Sequence, residues 1–339
     1  MKIKHALSVM ALALGVAGMA GTAHAGAVIS NGTITMGVND QGHLNVPIGS
    51  DPLGIGYMGL RYVPTGAAST EPGCQCEGWG VALRSTSEAG YANVSVDGVQ
   101  NMSVVSFTST ATTAKSVVFV ATANGGLTVT HDYHPSSKTN YLYETDVTIQ
   151  NGTGADIAAG DLVYRRVMDW DIYPTPFNEY VTIGGVPGAL GIANGTNVAQ
   201  TGNNGFNSAN PLSFSSYGLH NVNFTDAGPS DHGALFDFEF NALAAGGSLS
   251  FTTYYGATPD EATADSVRAL VGMNLYSYGQ PNVLGGPDLG QPNTFIFGFG
   301  ATSGGVLTPA IPEPETYAMM MAGLGVLGAI ARRRKAKAA

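Results

Sequence analysis

Short runs of alternating apolar and polar residues recur from residue 26 to residue 311, about every 10–15 positions, separated by Gly, Asn, Asp or Pro. Ser103–Thr108, Ser116–Ala121 and Leu127–Thr130 are examples. The last follows Asn124-Gly125-Gly126, a hairpin signal. Tyr141–Gln150, Leu162–Ile172, Ala234–Phe240 and Ser248–Tyr255 continue the pattern. Ala234, Phe236, Phe238 and Phe240 alternate with Leu235, Asp237 and Glu239, which predicts one apolar and one wet face. About fifteen such runs predict an all-β body, a large antiparallel two-sheet β-sandwich.

One segment breaks the two-residue period. Thr258-Pro259-Asp260-Glu261 has the form of a capping box with Pro at the first helical position. Ala264, Val267, Leu270 and Val271 then form an apolar stripe, and Gly272 is a stop. A short surface helix is predicted at about 259–271. Residues 184–211 are poor in strand pattern and rich in turn residues, so they read as a long loop.

Both ends of the chain read as processing segments. Lys2 and Lys4, the apolar run Ala6–Ala20 and the small residues of Ala23-His24-Ala25 predict a secretory signal at 1–25, cleaved after Ala25. The body then spans 26–300, and 301–311 is a linker. At the other end, Pro312-Glu313-Pro314 precedes the apolar stretch Tyr317–Ala331 and then Arg332-Arg333-Arg334 and Lys335. Fifteen helical residues extend ~22 Å, less than the ~30 Å hydrocarbon core. Tyr317 at one interface and snorkelling arginines at the other still let this stretch span, with its basic end cytoplasmic.

These three parts, in this order, resemble the PEP-CTERM protein-sorting domain over residues 312–339. Pro312-Glu313-Pro314 matches the motif, and Arg332-Arg333-Arg334 matches the terminal cluster. The resemblance implies a Gram-negative bacterium, an inner-membrane intermediate and processing by an exosortase-type enzyme after signal peptidase. It further implies release or attachment at the cell surface or its exopolysaccharide. It says nothing about what the body does.

Composition narrows the body's role. Gly is 47 of 339 residues and charged residues are only 11%, whereas 44% hydrophobic residues can supply a core, which argues against disorder. The whole chain carries −10, but seven of its 14 basic and two of its 24 acidic residues lie in the terminal segments. The exported body therefore holds 7 basic against 22 acidic residues, or −15. A nucleic-acid partner is excluded, and an anionic partner needs a bridging divalent cation.

Four constellations could carry chemistry. Cys74-Gln75-Cys76 lies in a turn-rich stretch of an exported chain, which favours a local disulfide over a metal or redox site. In the strand Tyr164–Tyr173, Asp169 and Asp171 share a face with Arg165, and Arg166, Met168 and Trp170 share the other. The two aspartates could bind Ca²⁺ with Asn178 or Glu179, pair with Arg165 or Arg166, or form a glycosidase acid/base pair. His131 and His134 fall on opposite faces of one strand and do not converge on a metal, so surface or capping roles are expected. Asp226, Asp231, His232, Asp237 and Glu239 read as solvated charge.

No nucleophile elbow, zinc-protease helix, EF-hand or phosphate loop occurs. The expectation is a non-catalytic exported surface or matrix protein that binds or embeds in exopolysaccharide, with calcium the cofactor to test. The alternative is a secreted carbohydrate-active enzyme, a glycoside hydrolase or lyase, that uses Asp169 and Asp171 and depends on calcium.

Overall fold

The computed structural model describes residues 26–49, 51–214 and 217–300. The expected signal at 1–25, the expected linker at 301–311 and the sorting segment at 312–339, with the membrane helix expected in it, lie outside the described residues. Among the described residues, no helix is long and apolar enough to cross a membrane.

The body is mostly β, and its strands pair antiparallel. A nine-stranded sheet runs in the order Met102–Ser109, Ala114–Thr122, Gly125–Pro135, Leu142–Asn151, Ser248–Thr258, Thr294–Gly300, Leu275–Gln280, Glu179–Gly184 and Phe224–Ser230. A six-stranded sheet runs Val198–Gly202, Gly233–Glu239, Leu162–Asp169, Gly78–Leu83, Glu88–Asn93 and Val99–Gln100. A four-stranded sheet (Gly26–Ser30, Ile34–Asn39, Leu60–Tyr62, Ala67–Ala68) and a two-stranded ribbon (Val46–Pro47, Tyr57–Met58) complete the body. Two sheets were therefore too few. The extra sheets come from strands of two to six residues in the first 68 positions, too short for alternation to register in the sequence.

The two large sheets meet through aromatic side chains. Phe236 and Phe238 of the six-stranded sheet lie 5.1 Å and 4.6 Å, centroid to centroid, from Phe299 of the nine-stranded one. Tyr164 meets Phe251 edge-on at 5.1 Å. Such pairs add about 0.5–1.5 kcal/mol beyond the area they bury. The predicted apolar face of Ala234–Phe240 thus forms the inner face, and one continuous core joins the sheets.

Its predicted wet face is not wet. Asp237 is buried, because segment 203–214 folds over the outer surface of the strand and the Arg165 guanidinium enters beneath it. Val167, Leu235 and Ala209 form a small second core on that outer side. The loop expected at 184–211 itself holds the strand Val198–Gly202 and a 3₁₀ turn at Ile192–Asn194.

The helix runs Glu261–Val271, two residues later than the 259–271 expected. Asp260, not Thr258, is its N-cap: the Asp260 carboxylate accepts from the Thr263 N–H at 2.8 Å. Gly272 ends it at φ 76°, in the left-handed conformation that glycine adopts without cost. Ala264, Val267 and Val271 face the sheet, whereas Leu270, about 100° round from Val271, is exposed. A second helix, Gly286–Leu289, was not foreseen; a single turn carries too little period to be read.

Candidate carboxylate site

Strand Leu162–Asp169 is buried along its whole length, so each of its charged side chains needs a partner. Arg165 forks onto Asp237, Nε to Oδ1 and Nη2 to Oδ2, both at 2.7 Å. Arg166, on the inner face, donates to Glu77 Oε1 at 2.6 Å and to the Tyr133 hydroxyl at 2.9 Å. The Tyr255 hydroxyl and the Leu44 N–H complete the shell of Glu77. The expected pairing of either arginine with Asp169 or Asp171 does not occur, because Arg165 is drawn to Asp237 on the neighbouring strand and Arg166 to Glu77, just before the strand Gly78–Leu83.

One histidine expectation fails as well. His131 lies in the core rather than at the surface, 4.5 Å from the Trp79 ring, with Nε2 3.0 Å from the Tyr164 hydroxyl. Burial and the Arg166 charge hold its pKa well below the usual value, so it is neutral. Glu239 pairs with Arg84 and accepts from the Ile192 N–H.

At the end of the same strand the arrangement changes. Pairing with Gly233–Glu239 sets Asp169 opposite Gly233, which brings Asp231 and His232 beside it. One carboxylate oxygen from each of Asp169, Asp171 and Asp231 lies within 4.8 Å of the others. Asp169, Asp171 and Glu179 are fully buried and Asp231 is exposed. Among the described residues, no arginine or lysine forms an ion pair with any of the four.

Hydrogen bonding is correspondingly sparse. Asp171 Oδ1 accepts from the Phe177 N–H at 3.2 Å, and the Cys74 N–H also donates to the carboxylate. Glu179 Oε1 accepts from the His232 N–H at 2.9 Å. No amide, hydroxyl or ring N–H reaches either oxygen of Asp169, Oδ2 of Asp171 or Oε2 of Glu179. His232 contributes no charge, since burial lowers its pKa.

The electrostatic result follows directly. Burial first, and then the charges of Asp171 and Asp231, push Asp169 well above the usual carboxylate range. Burial raises Asp171 to about 7, and burial followed by the Asp171 and Asp231 charges raises Glu179 to about 8. Effective desolvation penalties are several kcal/mol for each buried ion. The cluster can meet that cost by holding protons, with one shared between Asp169 and Asp171, or by holding a cation. Calcium takes oxygen ligands at about 2.3–2.6 Å, so ligands on its opposite sides stand about 4.6–5.2 Å apart. The observed spacing fits such an ion.

Glycines make room for the cluster. A Cβ on Gly205 would stand 2.7 Å from the Asp169 Cα and 2.9 Å from its Oδ1. A Cβ on Gly73, whose φ is +72°, would stand 2.8 Å from Asp171 Oδ2. Gly73 belongs to the loop in which Cys74 and Cys76 are joined by a disulfide, Cα to Cα 5.1 Å. The Asn93 side chain anchors that loop by donating to the Cys76 carbonyl at 2.7 Å.

Asp169, Asp171 and Glu179 were foreseen as candidate ligands, and they come together. Asn178 is exposed and makes no contact with the cluster in the interactions above. Asp231 was read as solvated charge. Only the pairing of Leu162–Asp169 with Gly233–Glu239 brings it in, and no local spacing reports that pairing.

Residues 310–335 match a PEP-CTERM protein-sorting motif. The chain carries a PEP-CTERM signal. The match spans Pro312-Glu313-Pro314 and Arg332-Arg333-Arg334. A PEP-CTERM protein is an exosortase substrate, exported and passed by way of the membrane to the cell surface. No curated protein matches the chain.

Proposed function

We propose that the body of this exported PEP-CTERM protein is a non-catalytic β-sandwich that holds a calcium ion and associates with exopolysaccharide. Signal peptidase releases it at Ala25, and the exosortase-type enzyme removes or transfers the tail. The ion lies between Asp169, Asp171 and Asp231, with Glu179 adjoining. One observation carries this reading: Asp169 is fully buried among other acids, and neither of its oxygens meets a donor N–H or a cationic side chain. Outside the cytoplasm, modules of this kind bind calcium with Kd values of about 10⁻⁴–10⁻³ M.

Geometry gives the carbohydrate-active enzyme less support. Glycosidase carboxyl groups stand about 5–5.5 Å apart, or about 6.5–9.5 Å in inverting enzymes. The three clustered oxygens are closer than either, and Asp169 and Asp171 are buried away from a polymer.

Thermal unfolding of the full chain in chelator and in calcium tests the proposal. With a Kd of about 10⁻⁴ M, about 1 mM calcium adds about 1.4 kcal/mol, which raises Tm by roughly 3–5 °C. An unchanged Tm contradicts the ion. Hydrolysis of a polysaccharide that disappears in Asp169→Asn contradicts the non-catalytic reading.

A further inference from the structure

Asp169, Asp171 and Glu179 are buried in the cluster. Asp231 alone is exposed, so an ion held against Asp169 and Asp171 keeps a face toward solvent. Both Asp169 oxygens, Asp171 Oδ2, Glu179 Oε2 and the two of Asp231 are the carboxylate oxygens free to turn toward it, at most six, whereas calcium takes about six to eight. The side of the exposed Asp231 is where an outside oxygen can enter the shell.

An exposed aromatic side chain lies beside Asp171. The Phe177 ring is 53% exposed, and its Cζ and Asp171 Oδ2 each lie 2.8 Å from where a Cβ on Gly73 would stand. The ring therefore lies beside the unpartnered carboxylate oxygen, across the space that Gly73 leaves open. Phe177 holds φ at 69°, a left-handed conformation that a bulky side chain adopts only under constraint, and strain of this kind collects at binding sites. Phe206, also exposed, follows Gly205, whose backbone packs on Asp169. Tyr173, exposed as well, lies two residues beyond Asp171.

We propose that this face is a calcium-dependent saccharide site. Two adjacent oxygens on a sugar ring complete the ion's shell, and the ring's apolar face rests on Phe177. The inference rests on the calcium reading above and names the ligand chemistry of the same site. Adjacent oxygens come either from a vicinal diol of a neutral sugar or from the carboxylate and hydroxyl of a uronate. With a body charge of −15, a polyuronate is repelled unless the ion bridges it.

Retention of the full chain on immobilised mannan and on immobilised alginate, in calcium and in chelator, tests the proposal. Retention on either polymer that requires calcium supports it, and the polymer retained identifies the oxygen pair. Phe177→Gly removes the ring at a position where glycine relieves the backbone; it should weaken retention about tenfold, with the calcium-induced Tm rise intact. Phe177→Tyr should restore retention. Retention that survives chelator, or that Phe177→Gly leaves unchanged, overturns the proposal. If calcium raises Tm and neither polymer is retained, the saccharide site is wrong and the ion site stands. If calcium leaves Tm unchanged, the ion reading fails and the saccharide site with it.

Discussion

Strand Leu162–Asp169 buries charge at two places with opposite surroundings. In its middle, Arg165 and Arg166 each meet a carboxylate, and tyrosine hydroxyls and backbone groups complete the shells. At its end, Asp169 meets Asp171 and Asp231, with Glu179 adjoining, and no basic side chain pairs with them. Asp169, Asp171 and Glu179 are as buried as Arg165, Arg166 and Glu77, so burial alone does not separate the two places. The balance of charge does. The paired region is complete within the chain, whereas the acidic region is completed only by something from outside, a proton or a metal ion. A buried charged residue whose neighbours repeat its sign therefore calls for a proton or a counter-ion.

The largest effect should come from breaking the complete region. Arg166→Met leaves Glu77 buried without its partner, at a cost of about 3–5 kcal/mol. Urea unfolding should show that loss equally in calcium and in chelator. A loss that depends on calcium would mean that the two regions are one.

The next effect should have the opposite sign. Asp169→Asn removes one of the crowded charges, so in chelator it should leave Tm unchanged or raise it. In calcium the same variant should lose the roughly 3–5 °C rise. A large loss in chelator would show that Asp169 acts as a structural residue like Arg166.

Acidity sharpens the comparison further. Asp171 and Glu179 hold their protons more tightly folded, at about 7 and about 8, than unfolded. The folded state thus binds more protons, and stability in chelator should fall as pH rises from about 4 to about 8. Calcium competes with those protons, so its effect on Tm should be larger at pH 8 than at pH 5. A calcium effect that is flat with pH would place the ion elsewhere.

The smallest effect is expected from the Cys74–Cys76 disulfide. It closes a very short ring and so restricts the unfolded chain little. Reduction should weaken calcium binding modestly, by loosening the loop that carries the Cys74 N–H to Asp171, and should leave the Arg166 region unaffected.

Much of the fold was legible because alternation reports a half-buried strand directly. The inner phenylalanines of Gly233–Glu239 could be named from the sequence alone. Its outer face could not: Asp237 reads as solvated until segment 203–214 is known to cover it. The same limit applied at the site. Asp169, Asp171 and Glu179 lie near one another in sequence, so they could be named together as candidate ligands. Asp231 arrives through strand pairing between distant segments, and its neighbour His232 gave no sign of being buried. The arginines beside Asp169 were misleading for a similar reason, since their partners are distant in sequence, Asp237 on the neighbouring strand and Glu77 just before Gly78–Leu83.

The central claim is that the acidic end of this strand is completed by a metal ion. Calorimetric titration of calcium into chelator-stripped full chain tests it most directly, with Asp169→Asn measured in parallel. The account predicts one ion per chain, with a Kd of about 10⁻⁴ M, and no binding heat in the variant. Absence of binding heat in the unaltered chain up to about 10 mM calcium, a hundred times that Kd, would contradict it, as would equal binding by both chains.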